Sequence, residues 1–185
     1  MSGPRMSCPR CWGRGAQSAH VVHPCGYCGG SGSVADEQLS PHFRLSELLE
    51  SRAARTHGIP NEPAAAEMEN LRALCLELLE PLRAEFGPLR VTSGLRTPRL
   101  NQAVKGEPSS AHVVGWAADV IVVRGERQAF LEDAMAWLAR SGLVFDQAIR
   151  EPTWLHLGLR QPITGAQRRE LKRADGGRYP AWTAA

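Results

Sequence analysis

Two histidines and one aspartate stand where a plain apolar core would not put them. Asp119 lies inside the run WAADVIVV at 116–123, where an ionised carboxylate is costly unless it is paired or holds a metal. His156 sits midway along 154–159, where Leu155, Leu157 and Leu159 occupy one face and Trp154, His156 and Gly158 the other. His112 precedes Asp119 by seven residues, just behind Ser109 and Ser110. Two imidazoles and a carboxylate can make a three-ligand zinc site with an open fourth position. Water at such an ion is acidified to a pKa of about 7 and becomes a nucleophile at neutral pH. Taken singly, each residue has a plainer reading: a hydrogen-bonded structural histidine for His156, and a buried salt bridge for Asp119.

A second set of metal-ligating residues opens the chain. Cys8, Cys11, Cys25 and Cys28 form two C-x-x-C pairs with 13 residues between them. The surrounding residues 1–34 are rich in Gly, Ser and Pro and poor in large aliphatics, so they cannot build a core and need a staple. Four thiolates at this spacing provide one by holding a structural Zn²⁺, whose binding then supplies folding energy. The N-terminus MSGPRMSCPR shows no apolar core of a secretory signal, which favours metal over disulfides. His20 and His23 lie between the pairs as surplus ligands, but four sulfurs already fill a tetrahedron. Cys75 stands alone in a helical pattern as a small buried apolar residue. The two pairs repeat as CPRCWGRG and CGYCGGSG, both C-x-x-C-x-G-x-G. This resembles the cysteine-rich zinc module of DnaJ-type chaperones and implies a zinc knuckle. Two repeats allow one zinc site, and without a J-domain no chaperone function is implied.

The elements that must position the His and Asp residues follow from periodicity. A short helix after Ser40-Pro41, with Ser46 as its N-cap, leads into a longer one starting at Asn61-Glu62-Pro63. Met68, Leu71, Cys75, Leu78 and Leu82 recur at steps of three and four and mark its inner face. Pro81 should kink it, and Gly87-Pro88 should stop it. Residues 89–92, 116–123, 145–150 and 154–159 read as strands; 98–104 and 126–140 read as helices, the latter with Phe130, Ala134, Trp137 and Leu138 inward. Helices that precede and interrupt a small sheet define the α+β class. The expected organisation is a four-cysteine zinc module at 1–34, a main domain at 40–160, and a basic helix or tail at 161–185.

Composition sets the outer limits. The 185 residues are 43% hydrophobic and 22% charged, ordinary for a globular domain. No apolar run of about 18 residues is present, so no membrane insertion is expected. A net charge of +3 is too small to argue for nucleic acid. Both ends are basic around a mildly acidic middle. The chain is expected to be a monomer made in the cytoplasm.

The words around the three candidate ligands carry more than their spacing. Ser93-Gly94-Leu95-Arg96, then SAHVVGWAAD at 110–119, then Trp154-Leu155-His156 resemble the M15 family of zinc peptidases, whose pattern is SG-x-R, S-x-H-x-x-G-x-A-x-D and W-x-H. The resemblance spans roughly residues 40–160. It implies an M15, hedgehog-like peptidase fold, a catalytic zinc on His112, Asp119 and His156, and an Arg96 that binds substrate. It also implies a peptidoglycan stem peptide as substrate, cut as by a D-Ala-D-Ala carboxypeptidase or a phage L-Ala-D-Glu endopeptidase. A guanidinium suits such a substrate, because it recognises a carboxylate or an oxyanion through paired N–H bonds. Ser110 could hydrogen-bond substrate or cap a turn. Several M15 branches carry a general-base Glu three residues before the last His. Thr153 holds that position here, so Glu151 is the expected base and Asp146 its runner-up. A peptidase of this kind would act at the cell wall, as an endolysin after release or from a phage particle. The alternative is an inactive M15-like module that binds peptidoglycan or serves as a phage structural part.

Overall fold

The computed structural model describes residues 3–15 and 24–183; His20 and His23 lie outside them. Strands β1 (Arg5–Ser7) and β2 (Ser33–Ala35) pair antiparallel and bracket the cysteine repeats. Helix α1 (Leu45–Leu49) follows, with Arg44 rather than Ser46 at its N-cap. Ser46 instead donates its N–H and hydroxyl to the Asp36 carboxylate, while the Glu47 carboxylate accepts the Arg44 N–H. Helix α2 (Arg52–His57) starts on the Ser51 side chain and ends at Gly58.

The long helix begins at Ala65, slightly later than Asn61-Glu62-Pro63 suggests. It runs as α3 (Ala65–Leu74), a π-turn at Cys75–Leu79 and α4 (Glu80–Phe86). The π-turn is the physical answer to Pro81. Proline has no N–H and crowds the carbonyl four residues back; widening the helix by one residue, with Glu80 N–H donating to Cys75 O, absorbs the defect without a break. Leu71, Cys75, Leu78 and Leu82 are fully buried on the expected face, each leucine contributing about 1.5–3 kcal/mol of burial.

Strand β3 (Leu89–Ser93), helix α5 (Pro98–Ala103), β4 (Ala117–Val122), helix α6 (Arg127–Arg140), β5 (Gln147–Arg150), β6 (Leu155–Gly158) and β7 (Glu170–Arg173) complete the chain. The sheet order is β3-β4-β6-β5-β7, antiparallel except for the parallel β5–β7 pair. Its class is α+β. One face carries Ala118, Val120, Ala148, Leu155 and Leu157 into the core against α6, whose Phe130, Leu131, Ala134, Met135 and Leu138 are buried. Trp137 is only partly buried and meets the Phe86 ring edge-on at 5.9 Å. On the other face one row of partners crosses four strands: Asp119, His156, Ile149 and Lys172. No helix among the described residues is long and apolar enough to cross a membrane.

Within the described residues 161–183, a strand stands where a basic helix or tail was expected. β7 supplies the outer edge of the sheet, and Trp182 donates its backbone N–H to Leu171 O and its indole N–H to Glu132. Only Leu171 interrupts the polar run Glu170–Arg173, so the segment shows no apolar period; the unpaired edge of β5 is what recruits it. Truncation after Arg160 is therefore expected to lower the thermal midpoint by about 5 °C or more, read by calorimetry. An unchanged midpoint would show the segment to be dispensable.

Candidate active site

Asp119 and His156 face each other because β4 and β6 pair in that register. His112 arrives from a single 3-10 turn, Ala111–Val114, which starts on the Ser110 hydroxyl and ends at Gly115. Gly115 adopts φ +75°, and a Cβ there would sit 3.0 Å from Glu67 O, so glycine lets the chain turn tightly into β4.

The three side chains converge. His156 Nδ1 lies 2.9 Å from Asp119 Oδ1, His112 Nε2 lies 3.2 Å from His156 Nδ1, and His112 Nε2 lies 3.4 Å from Asp119 Oδ1. Ligands held at about 2.0–2.1 Å around a tetrahedral ion are spaced by roughly 3.3–3.4 Å, so this triangle fits one metal. His112 Nδ1 is 2.7 Å from the Gly94 carbonyl. A carbonyl only accepts, so Nδ1 carries the proton and Nε2 keeps its lone pair for the centre. Burial pushes the His112 imidazole below its usual pKa, against the pull of Asp119. Burial alone would raise the Asp119 carboxyl, but the His112 and His156 imidazoles outweigh it and hold that carboxyl well below the usual range. A neutral imidazole and an ionised carboxylate are the states a metal requires.

A cleft of about 520 Å³ opens beside this centre, lined by Arg96, Ser110, Glu151, Trp154 and, from the C-terminal segment, Lys172 and Tyr179. Arg96 Nη2 donates to Ser110 Oγ at 3.2 Å, while its Nε is buried without a partner among the described residues. Ser110 thus both caps the turn and touches Arg96. Glu151 lies in the β5–β6 turn, where its N–H donates to Trp154 O at 3.1 Å. Its carboxylate has no hydrogen-bond or ion-pair partner among the described residues. Burial raises its pKa, countered by His156 and reinforced by Asp119. Thr153 is exposed in the same turn. Asp146 also lines the cleft, but Arg168 holds both its oxygens, at 2.6 and 2.9 Å.

Gly94, which in the sequence stands out only as part of the SG-x-R motif, also shapes the site. Its carbonyl orients His112, and a Cβ on it would lie 2.3 Å from Leu48 O. A backbone acceptor has no side-chain signature; the available signal was the glycine itself, which marks a close approach.

The four cysteines also cluster. Cys8 and Cys25 Sγ are 3.8 Å apart, as are Cys11 and Cys28 Sγ, and all four sulfurs lie within 4.8 Å of one another. A zinc ion with about 2.3 Å bonds spaces tetrahedral sulfurs by about 3.8 Å, whereas a disulfide needs about 2.05 Å. The two repeats pack backbone to backbone: a Cβ on Gly15 would meet Gly30 O at 2.5 Å, and one on Gly32 would meet Gly13 O at 2.4 Å. Gly32 N–H donates to Cys28 Sγ at 3.3 Å. Burial opposes the Cys28 thiolate, but the N–H groups of Gly32 and Gly30 outweigh it and lower its pKa to about 7. The cluster is compatible with a zinc module.

An α+β sheet that presents two imidazoles and a carboxylate at the floor of a cleft has the build of a metal-dependent hydrolase. Residues 41–157 match the Peptidase M15 family model. The match covers more than half of the chain, which belongs to the M15 peptidase family. No curated protein matches the chain.

Two independent metal sites are expected. Elemental analysis of zinc-loaded protein should find two ions per chain, falling to one in His112→Ala and to one in Cys11→Ser. Wild-type protein that holds only one ion, with the same single ion in Asp119→Ala, would contradict the His112–Asp119–His156 site.

Proposed function

We propose that the chain is a zinc-dependent peptidase that hydrolyses an amide bond in peptidoglycan stem peptides, acting as a cell-wall lysin. The observation that carries this reading is the convergence of His112, Asp119 and His156 on one centre that opens into the cleft holding Arg96 and Glu151. His112 Nε2, Asp119 Oδ1 and His156 Nδ1 would hold the ion. Zinc, when bound there, polarises the scissile carbonyl and acidifies water.

The remaining work falls to this chain's own side chains. Glu151 takes the proton from the attacking water and delivers it to the leaving amine. It suits that task because its carboxylate has no partner among the described residues, whereas Arg168 occupies Asp146. Arg96 holds a substrate carboxylate or the oxyanion with donors that the fold leaves unspent. Ser110 orients that guanidinium and offers its hydroxyl to substrate.

Thr153, at the position where a base would stand in several M15 branches, favours a second reading: a module that binds peptidoglycan without turnover. Mass spectrometry of muropeptides after digestion separates the two. Cleavage by zinc-loaded wild type is expected, with kcat reduced about 10²-fold or more in Glu151→Gln at unchanged zinc content. Absence of any new muropeptide favours the binding module.

The pH dependence follows from the burial of Glu151. A general base works only when ionised, and burial raises the pKa of this one. The acid limb of kcat/KM should therefore fall at a pH above the ordinary glutamate range, with activity present above it and lost below. A pH–rate profile whose acid limb is identical in Glu151→Gln would remove Glu151 from the role.

A further inference from the structure

The cysteine knuckle does not stand apart from the cleft. Three of its groups grip one short segment of the body. Trp12 Nε1 donates to Ile59 O at 2.8 Å, Asn61 N–H donates to Pro9 O at 3.0 Å, and Arg10 Nε pairs with the Glu62 carboxylate at 2.7 and 2.9 Å. The Trp12 ring packs with Ala54, Ile59 and Leu100. Pro9, Arg10 and Trp12 are the residues between and beside Cys8 and Cys11, so whatever fixes those sulfurs fixes these contacts.

The far side of the same segment holds the arginine loop. Asn61 is fully buried. Its side-chain Nδ2 donates to Leu95 O at 2.9 Å and to Leu49 O at 3.1 Å, and its Oδ1 accepts from Thr97 N–H at 2.9 Å. The Thr97 hydroxyl donates to Pro60 O at 2.9 Å. Both neighbours of Arg96 are thus tied to one side chain, while Arg96 N–H itself donates to His112 O at 3.0 Å. Asparagine alone offers two donors and an acceptor at this length. Aspartate could not donate to Leu49 or Leu95, and leucine would leave three buried backbone groups without partners.

We propose that Asn61 is a positioning residue for Arg96, and that the Cys8–Cys11 knuckle braces it through Ile59, Asn61 and Glu62. The cysteine module then sets the orientation of the substrate-binding guanidinium from the opposite side of the segment, without entering the cleft. This deepens the proposed function and rests on its reading of Arg96. Ser110 touches one end of the guanidinium and its Nε has no partner among the described residues, so its aim also depends on the backbone that carries it, which is held by hydrogen bonds that end on the knuckle.

The test uses the full, zinc-loaded chain. Trp12→Phe keeps the aromatic ring and removes the donor to Ile59; Asn61→Ser removes the ties to Leu95 and Thr97. Water exchange of the Arg96 Nε–H is followed by nitrogen NMR, the signal being assigned by its loss in Arg96→Lys. Exchange should quicken by about tenfold in Trp12→Phe, the effect of weakening one buried hydrogen bond, and further in Asn61→Ser. Zinc content should stay the same. Unchanged exchange in Trp12→Phe overturns the brace, whatever the melting temperature does. In a kinetic cycle the loss of kcat/KM from Trp12→Phe should vanish in an Arg96→Ala background. Equal loss in both backgrounds assigns the knuckle a general stabilising role and also overturns the proposal. Full activity of Arg96→Ala itself would refute the substrate role of Arg96, while the exchange measurement still decides the brace.

Discussion

The structure turns on three electron-rich atoms held within 3.4 Å of one another. Two imidazole lone pairs and a carboxylate repel in this arrangement unless a cation or a shared proton sits among them. Backbone features of the fold bring them together. Strand register sets Asp119 against His156, a capped turn delivers His112, and the Gly94 carbonyl fixes which nitrogen of His112 faces inward. The register that pairs Asp119 with His156 and the nitrogen that His112 presents are thus both decided by backbone. The hydrophobic side of the same strands, packed on α6, is what prevents slippage, since a one-residue shift would put Asp119 and His156 into the core.

The two candidate metal centres obey opposite rules. Four sulfurs complete a tetrahedron in the knuckle and leave no position for substrate. Three ligands from β4, β6 and the His112 turn leave a side open to the cleft. The closed centre substitutes for a core that residues 3–15 and 24–35 are too poor in aliphatics to form. The open centre is held by a real core of leucines from α3, the π-turn and the sheet. With ions bound, the first centre would make structure and the second would use it; the segment 59–62 lies between the knuckle and the loop that carries Arg96.

Much of this was legible in the residue order. The strands around Asp119 and His156, the inner face of the long helix and the pairing of cysteines follow from period, spacing and residue type. Asp119 and His156 were conspicuous as polar residues inside apolar strands, whereas His112, on a turn, stood out only by its spacing and the words around it. Other features were hidden for physical reasons. β7 carries one apolar residue and is recruited by a vacant sheet edge, a tertiary cause that leaves no local pattern. The π-turn is a compromise between Pro81 and a continuous apolar stripe, invisible until the helix is built. Gly94 acts through a carbonyl, and Asn61 through bonds to residues more than thirty positions away. The engagement of Asp146 by Arg168 joins two segments whose proximity no periodicity announces.

That last contact bears on how the cleft separates its carboxylates. Glu151 and Asp146 both line it, and by composition alone either could carry a proton. Arg168 commits the Asp146 oxygens to a paired, bidentate bond, so releasing one for proton transfer would cost that pair. Glu151 receives no such partner among the described residues, and burial raises its pKa. Two acidic groups of the same kind thus stand in different surroundings, which under the proposed function would suit them to different roles. The residue that decides between them comes from the C-terminal segment, beyond the family-matching region 41–157. Within the matched region alone Asp146 has no such engagement; Arg168, from the stretch leading into β7, ties it into an ion pair.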